Sequence, residues 1–183
     1  MGGYFSLCLA MAQPERVEKL ILIGAPAGMN YWIPLMLRMM GMKGINRLLL
    51  KTVAKPSLMN VKDIHRQLLV ANINNLSDTY IEHNYYHQLL PEMMISFSTL
   101  LEQALTLRGW SKKLYLGDKL HKLEIPVGFI WGDQDAFEKP DTGRQKAAAI
   151  ANHTFQIVAN AGHCPWLDQP EICSKMVIDQ LQS

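Results

Sequence analysis

Residues 125–135 read IPVGFIWGDQD. A short apolar run closed by glycine and acids is expected of a strand covered on both faces, because a strand with one wet face would alternate. Working outward, residues 19–25 (KLILIGA) form a second such run, and residues 154–158 read as a third strand, followed by Asn160-Ala161-Gly162-His163. Helical spacing fills the intervals. Phe5, Cys8, Leu9 and Ala12 stand at i, i+3, i+4 and i+7 and predict one buried helix face over residues 1–13. A helix fits residues 142–151, and a last one opens at Pro170 with Ile172, Met176, Val177 and Leu181 on one face. Strands alternating with helices predict a parallel sheet, whose right-handed crossovers bring the C-terminal strand ends to one edge. Ligands bind at that edge in open α/β sheets. The GDQD turn and Gly162-His163 both fall there.

From Asn30 to about Leu116 the pattern is helical, with no strand-like run. Val61, Ile64, Leu68 and Ala71 mark one face, and Ile81, Tyr85 and Leu89 another. Met93, Phe97, Leu100, Leu101 and Ala104 mark a third, after Pro91, whose fixed backbone angle suits a helix start. Because the α/β pattern resumes afterwards, this stretch reads as an insertion. The expected division is an α/β core over residues 1–29 and 111–183, and a helical cap over 30–110.

Composition limits the function classes. The 183 residues carry 18 Lys and Arg against 16 Asp and Glu, a net charge of +2, which gives no basic face for neutralising several phosphates. Nucleic acid is therefore not an expected partner. With 12 Gly and 9 Pro the chain has ordinary globular usage. The three cysteines, Cys8, Cys164 and Cys173, form no CxxC pair and leave an odd thiol, so neither a disulfide framework nor a thiolate metal site is expected. A reducing, cytoplasmic setting is the simplest expectation. The longest apolar stretch is broken by Pro34, Arg38 and Gly41 and falls short of the roughly 20 residues that cross a bilayer.

An acid after one buried strand and a histidine after the next can meet at the sheet edge, where a carboxylate fixes the imidazole tautomer and stabilises its cation. That is two thirds of a nucleophile, base and acid device. Three segments carry a family resemblance: Trp131-Gly132-Asp133-Gln134-Asp135 with Pro140 downstream; Ala161-Gly162-His163-Cys164-Pro165-Trp166 with Gln169-Pro170-Glu171; and Met1-Gly2-Gly3 opening a helix. In these the sequence resembles the cap-bearing serine hydrolases of the α/β-hydrolase superfamily. The resemblance implies Asp135 as the acid, with Asp133 its neighbour, and His163 as the base. It also implies that the backbone N–H of Met1 serves the oxyanion. One departure is that Pro140 lies five residues after Asp135, where four is commoner.

The family's nucleophile elbow is G-x-S-x-G. No complete copy occurs here, and the nearest stretch, Gly109-Trp110-Ser111-Lys112-Lys113, lacks the second glycine. Met1-Gly2-Gly3 is similar to the half that follows the serine. The expectation is therefore the C-terminal part of an α/β-hydrolase fold, about three parallel strands with flanking helices plus an inserted cap, whose nucleophile lies upstream of Met1. The implied chemistry is hydrolysis of an ester, a thioester or an activated carbon–carbon bond in a small, apolar substrate, with no cofactor or metal. Alternatives are an Asp-nucleophile epoxide hydrolase or haloalkane dehalogenase, or a non-catalytic fragment or binding module.

Candidate substrate residues are Trp32 and Met36, in a methionine-rich stretch that either lines a pliable pocket or packs plainly, and Phe137 and Trp166 beside the two motifs. His83 and His87 stand four apart on one helix, but Asn84 occupies the place where the zinc-protease pattern needs Glu.

Overall fold

The computed structural model describes residues 1–31, 33–52 and 55–182. Its elements begin with α1 (Gly2–Ala12), β1 (Leu20–Ile23), α2 (Leu35–Met40), α3 (Ile45–Lys51), α4 (Leu58–Ile64), α5 (Asp78–Gln88) and α6 (Met93–Ala104). They continue with β2 (Leu105–Thr106), β3 (Gly109–Trp110), β4 (Val127–Gly132), α7 (Pro140–Ala147), β5 (His153–Val158), α8 (Pro165–Asp168) and α9 (Pro170–Gln182).

The three expected strands form one parallel sheet in the order β1-β4-β5, with Leu22 opposite Phe129 and Phe129 opposite Phe155. All six residues of the central strand β4 are buried, which is why its sequence does not alternate. Phe129, Ile130 and Trp131 are wholly inaccessible, and each such side chain contributes about 1.5–3 kcal/mol of transfer free energy. The Trp131 indole lies 5.3 Å from the Phe155 ring, and its N–H donates to the Glu138 carbonyl at 2.9 Å. The aromatic core thus carries its polar atom without penalty. The flanking strands are less covered. In β1, Leu20 and Leu22 are buried while Ile21 and Ile23 are half-buried.

Of two helix faces, one differs from expectation and one agrees in part. In α1 the buried residues are Tyr4, Leu7 and Ala10, while Phe5 and Leu9 are 59% and 44% exposed. The segment GGYFSLCLAMA is apolar almost all round, so spacing alone cannot choose between faces one residue apart. In α9 the expected Met176 and Val177 do pack on the core around Ile130 and Val158, with Cys173 and Gln180 beside them on the inward face, while Ile172 and Leu181 at the margins are exposed. Here a polar residue holds an inward position: Gln180 lies over Gly128 and donates from Nε2 to Gln156 Oε1 at 2.7 Å. The helix expected over residues 142–151 runs instead over Pro140–Ala147, with Pro140 in its first turn.

The chain divides into two compact units. The sheet unit comprises Met1–Asn30, Gln67–Asn72 and Leu116–Ser183, and the helical unit Tyr31–Arg66 and Ile73–Tyr115. Against an expected insertion at 30–110, the helical unit runs on to Tyr115, and residues 67–72 go with the sheet. Within the helical unit, Ser57 and Ser77 cap α4 and α5, accepting from the Asn60 and Tyr80 amides at 3.1 Å each. A π-helical turn, His65–Leu69, continues α4. Pro91 does not open α6; the chain passes through Glu92 in a left-handed conformation first. The expectation of no strand in this region also fails, since β2 and β3 form a two-residue antiparallel ribbon, too short to leave a periodic signal. Among the described residues no helix is long and apolar enough to cross a membrane.

Candidate active site

The loops after β1, β4 and β5 converge at the C-terminal edge of the sheet. The loop after β4 carries Asp135, whose side chain is wholly inaccessible, and the loop after β5 carries His163, 23% exposed. His163 Nδ1 stands 3.0 Å from Asp135 Oδ2. With the carboxylate as acceptor, Nδ1–H is the donor, which in the neutral imidazole leaves the lone pair on Nε2.

Asp135 is held on both oxygens. Oδ2 also accepts from the Ala25 amide at 3.0 Å, and Oδ1 accepts from the Phe137 amide at 2.9 Å. Three donors satisfy a group that would otherwise be costly to bury. Asp133 is exposed and does different work: its Oδ1 accepts from the Ala161 amide at 3.0 Å and ties the two loops together ahead of His163. The same spacing thus yields two aspartates with separate tasks, one on the imidazole and one on the backbone.

Residues not singled out in the sequence complete the surroundings. Gly24 follows β1 at φ +77°, and a Cβ there would fall 2.3 Å from the His163 carbonyl oxygen. Only glycine meets both the left-handed backbone and that approach. Its placement directly after an apolar run, before Ala25-Pro26, is the signal that could have marked it. Glu138 is buried nearby. Burial raises its carboxyl above the ordinary value, the Asp135 charge adds to the rise, and Lys146 and Asn30 oppose it.

Of the candidate substrate residues, Phe137 packs on the imidazole with ring centroids 4.3 Å apart. Trp166 sits 43% exposed on α8. Met36 lies 47% exposed on α2 in the helical unit, and Trp32 lies outside the described residues. Met1 precedes α1 as its N-cap residue. The thiol of Cys164, next to the histidine, is pushed up to about 12, by burial first and then by the charges of Asp135 and Asp168. It stays a neutral thiol at physiological pH and is a poor nucleophile. The three cysteines are free. His83 and His87 are both exposed on α5, and no cluster of three metal-ligand residues occurs among the described residues.

Residues 1–170 match the family model described as alpha/beta hydrolase fold. The 2-hydroxy-6-oxononadienedioate/2-hydroxy-6-oxononatrienedioate hydrolase of Cupriavidus pinatubonensis is 28% identical over 99% of this chain, which covers 59% of that protein. Among solved structures, a meta-cleavage product hydrolase from Pseudomonas fluorescens superposes with a TM-score of 0.74 at 17% identity, covering 98% of this chain and 61% of that one. The 2-hydroxy-6-oxo-6-phenylhexa-2,4-dienoate hydrolase of a Rhodococcus species gives a TM-score of 0.74 at 20% identity, with 100% and 62% covered. The chain thus spans about three fifths of the length of these proteins.

Proposed function

The chain belongs to the alpha/beta hydrolase fold family, and from that premise we propose that it supplies the acid and the base of a Ser-His-Asp hydrolase whose serine precedes Met1. The observation that carries this reading is the Asp135–His163 pair, joined at 3.0 Å across the ends of two parallel strands with Nε2 left to accept a proton. The substrate class is a carbonyl compound cleaved at an ester or at an activated carbon–carbon bond. The second is favoured by the relatives, which are named as hydrolases of 2-hydroxy-6-oxo-dienedioates and -trienedioates, where a ketone and no ester is available to the nucleophile.

In this reading His163 Nε2 takes the serine proton as the hydroxyl attacks the carbonyl carbon, and Asp135 stabilises the imidazolium through Nδ1–H. The backbone N–H at Met1, opening α1, donates to the oxyanion, where the helix N-terminus adds a favourable field. The imidazolium then returns the proton to the leaving group, and water releases the acyl portion. Phe137, packed on the imidazole, and Trp166, exposed on α8, supply apolar side chains to the substrate site, and the helical unit corresponds to the family's cap.

The reading frame ahead of Met1 tests this directly. A serine codon immediately before Met1, in a G-x-S or H-x-S context, is the expected finding. An in-frame stop there, or an aspartate codon in the serine's place, contradicts it.

A further inference from the structure

Asp168 closes α8 and is only 7% exposed. Its Oδ2 accepts from the Gly162 amide at 2.9 Å and from the Ala71 amide at 2.8 Å, and its Oδ1 accepts from the Asn72 amide at 3.1 Å. One carboxylate thereby joins the backbone directly ahead of His163 to residues 67–72, the segment that leaves and re-enters the helical unit in sequence. The Cys164 amide, directly after His163, donates to the Leu69 carbonyl at 2.7 Å. The two backbones are pressed together between these bonds, and a Cβ at Gly162 would lie 2.8 Å from Leu69 O and 2.9 Å from Ala71 N. The histidine is thus bracketed, the amide before it tied to the connector through Asp168 and the amide after it bonded to the connector directly.

We infer that Asp168 is a positioning residue for His163, which sets the imidazole against Asp135 by clamping the His163 loop to the 69–72 connector. The chemistry suits an ionised acid and no other small side chain. Three converging N–H donors in a buried place need an acceptor with several lone pairs, and charge-assisted bonds are the strong kind. An asparagine would turn an NH2 toward at least one of these donors, and an alanine would leave all three without an acceptor. Asp133 accepts from the neighbouring Ala161 amide, so the loop is fixed by two carboxylates while a third, Asp135, receives the imidazole. The catalytic consequence rests on the reading of His163 as the base. The clamp itself does not.

The test therefore uses no turnover. In the chain labelled with 15N, His163 should show the Nδ1–H tautomer with a slowly exchanging Nδ1 proton, and the amides of Ala71, Asn72 and Gly162 should be protected from exchange. Asp168→Asn is expected to speed exchange at those amides at least tenfold and to broaden or lose the Nδ1 proton signal, with Asp168→Glu restoring part of both. A variant whose amides lose protection while the His163 spectrum matches the wild type overturns the inference, because Asp168 would then serve the fold alone. Should Asp168→Asn fail to fold, native-state exchange of the wild type in rising denaturant decides. The expected result is that the Nδ1 signal disappears as those amides open, and persistence of the signal after they have opened refutes the clamp. Absence of hydrolytic activity in the protein that carries the serine ahead of Met1 would count against the functional reading and leave these outcomes untouched.

Discussion

The two aspartates of the GDQD turn differ by one pleat of chain and by their entire environment. Asp135 is buried and meets His163, whereas Asp133 is exposed and meets a backbone amide. Asp135→Asn should shift His163 from the Nδ1–H to the Nε2–H tautomer, because the amide no longer favours the donor on Nδ1. Asp133→Asn should leave the tautomer in place, and nitrogen NMR of the two variants separates them. Glu138 gives a pH signature of its own. Its native carboxyl binds its proton more tightly than in the unfolded chain, whose ordinary value is 4.5. Its stabilising contribution is thus fully present below pH 4.5 and lost as pH rises through the higher native value. Glu138→Gln cannot ionise, so its melting temperature should match wild type at pH 4 and rise above it toward pH 8. A gap between the melting curves that does not change with pH would rule this out. The sequence marked Asp135 and His163 through strand ends and motif. It did not mark Gly24, Glu138 or Asp168, because close backbone approach and convergent amides leave no periodic trace.

At the scale of elements, strands were legible and helix faces only in part. A buried strand such as β4 is apolar at every position, so its reading needs no choice of face. A helix needs one: α1 turns a face offset by about one residue from the expected spacing, while α9 keeps Met176 and Val177 inward and differs only at its margins. In α1 nearly every position would serve; in α9 the inward Gln180 donates from Nε2 to Gln156. The observed face of α1 predicts that Leu7→Ala, at a wholly buried position, costs about 2–5 kcal/mol. Leu9→Ala, at an exposed one, should stay within about 1 kcal/mol. Urea unfolding of the two variants checks this, and equal losses would show that α1 packs through a different face.

The whole molecule leaves apolar surface uncovered. Phe5 and Leu9 project from α1, and among the described residues β1 pairs only with β4, so one of its edges offers unpaired backbone groups. Exposed strand edges and apolar patches are templates for association. The chain by itself should therefore run as a self-associated species in light scattering coupled to gel filtration, and Phe5→Glu with Leu9→Lys should move it toward monomer. A wild-type chain that is monomeric throughout the micromolar range would argue that this surface is tolerated. The central claim concerns turnover, and it is tested most directly by kcat in the protein that carries the serine ahead of Met1, assayed on an aryl ester and on an oxo-dienoate. His163→Ala and Asp135→Asn should each lower kcat by roughly a thousandfold or more with the melting temperature little changed, while Asp133→Asn should have a much smaller effect. Normal turnover in His163→Ala or Asp135→Asn would contradict the account.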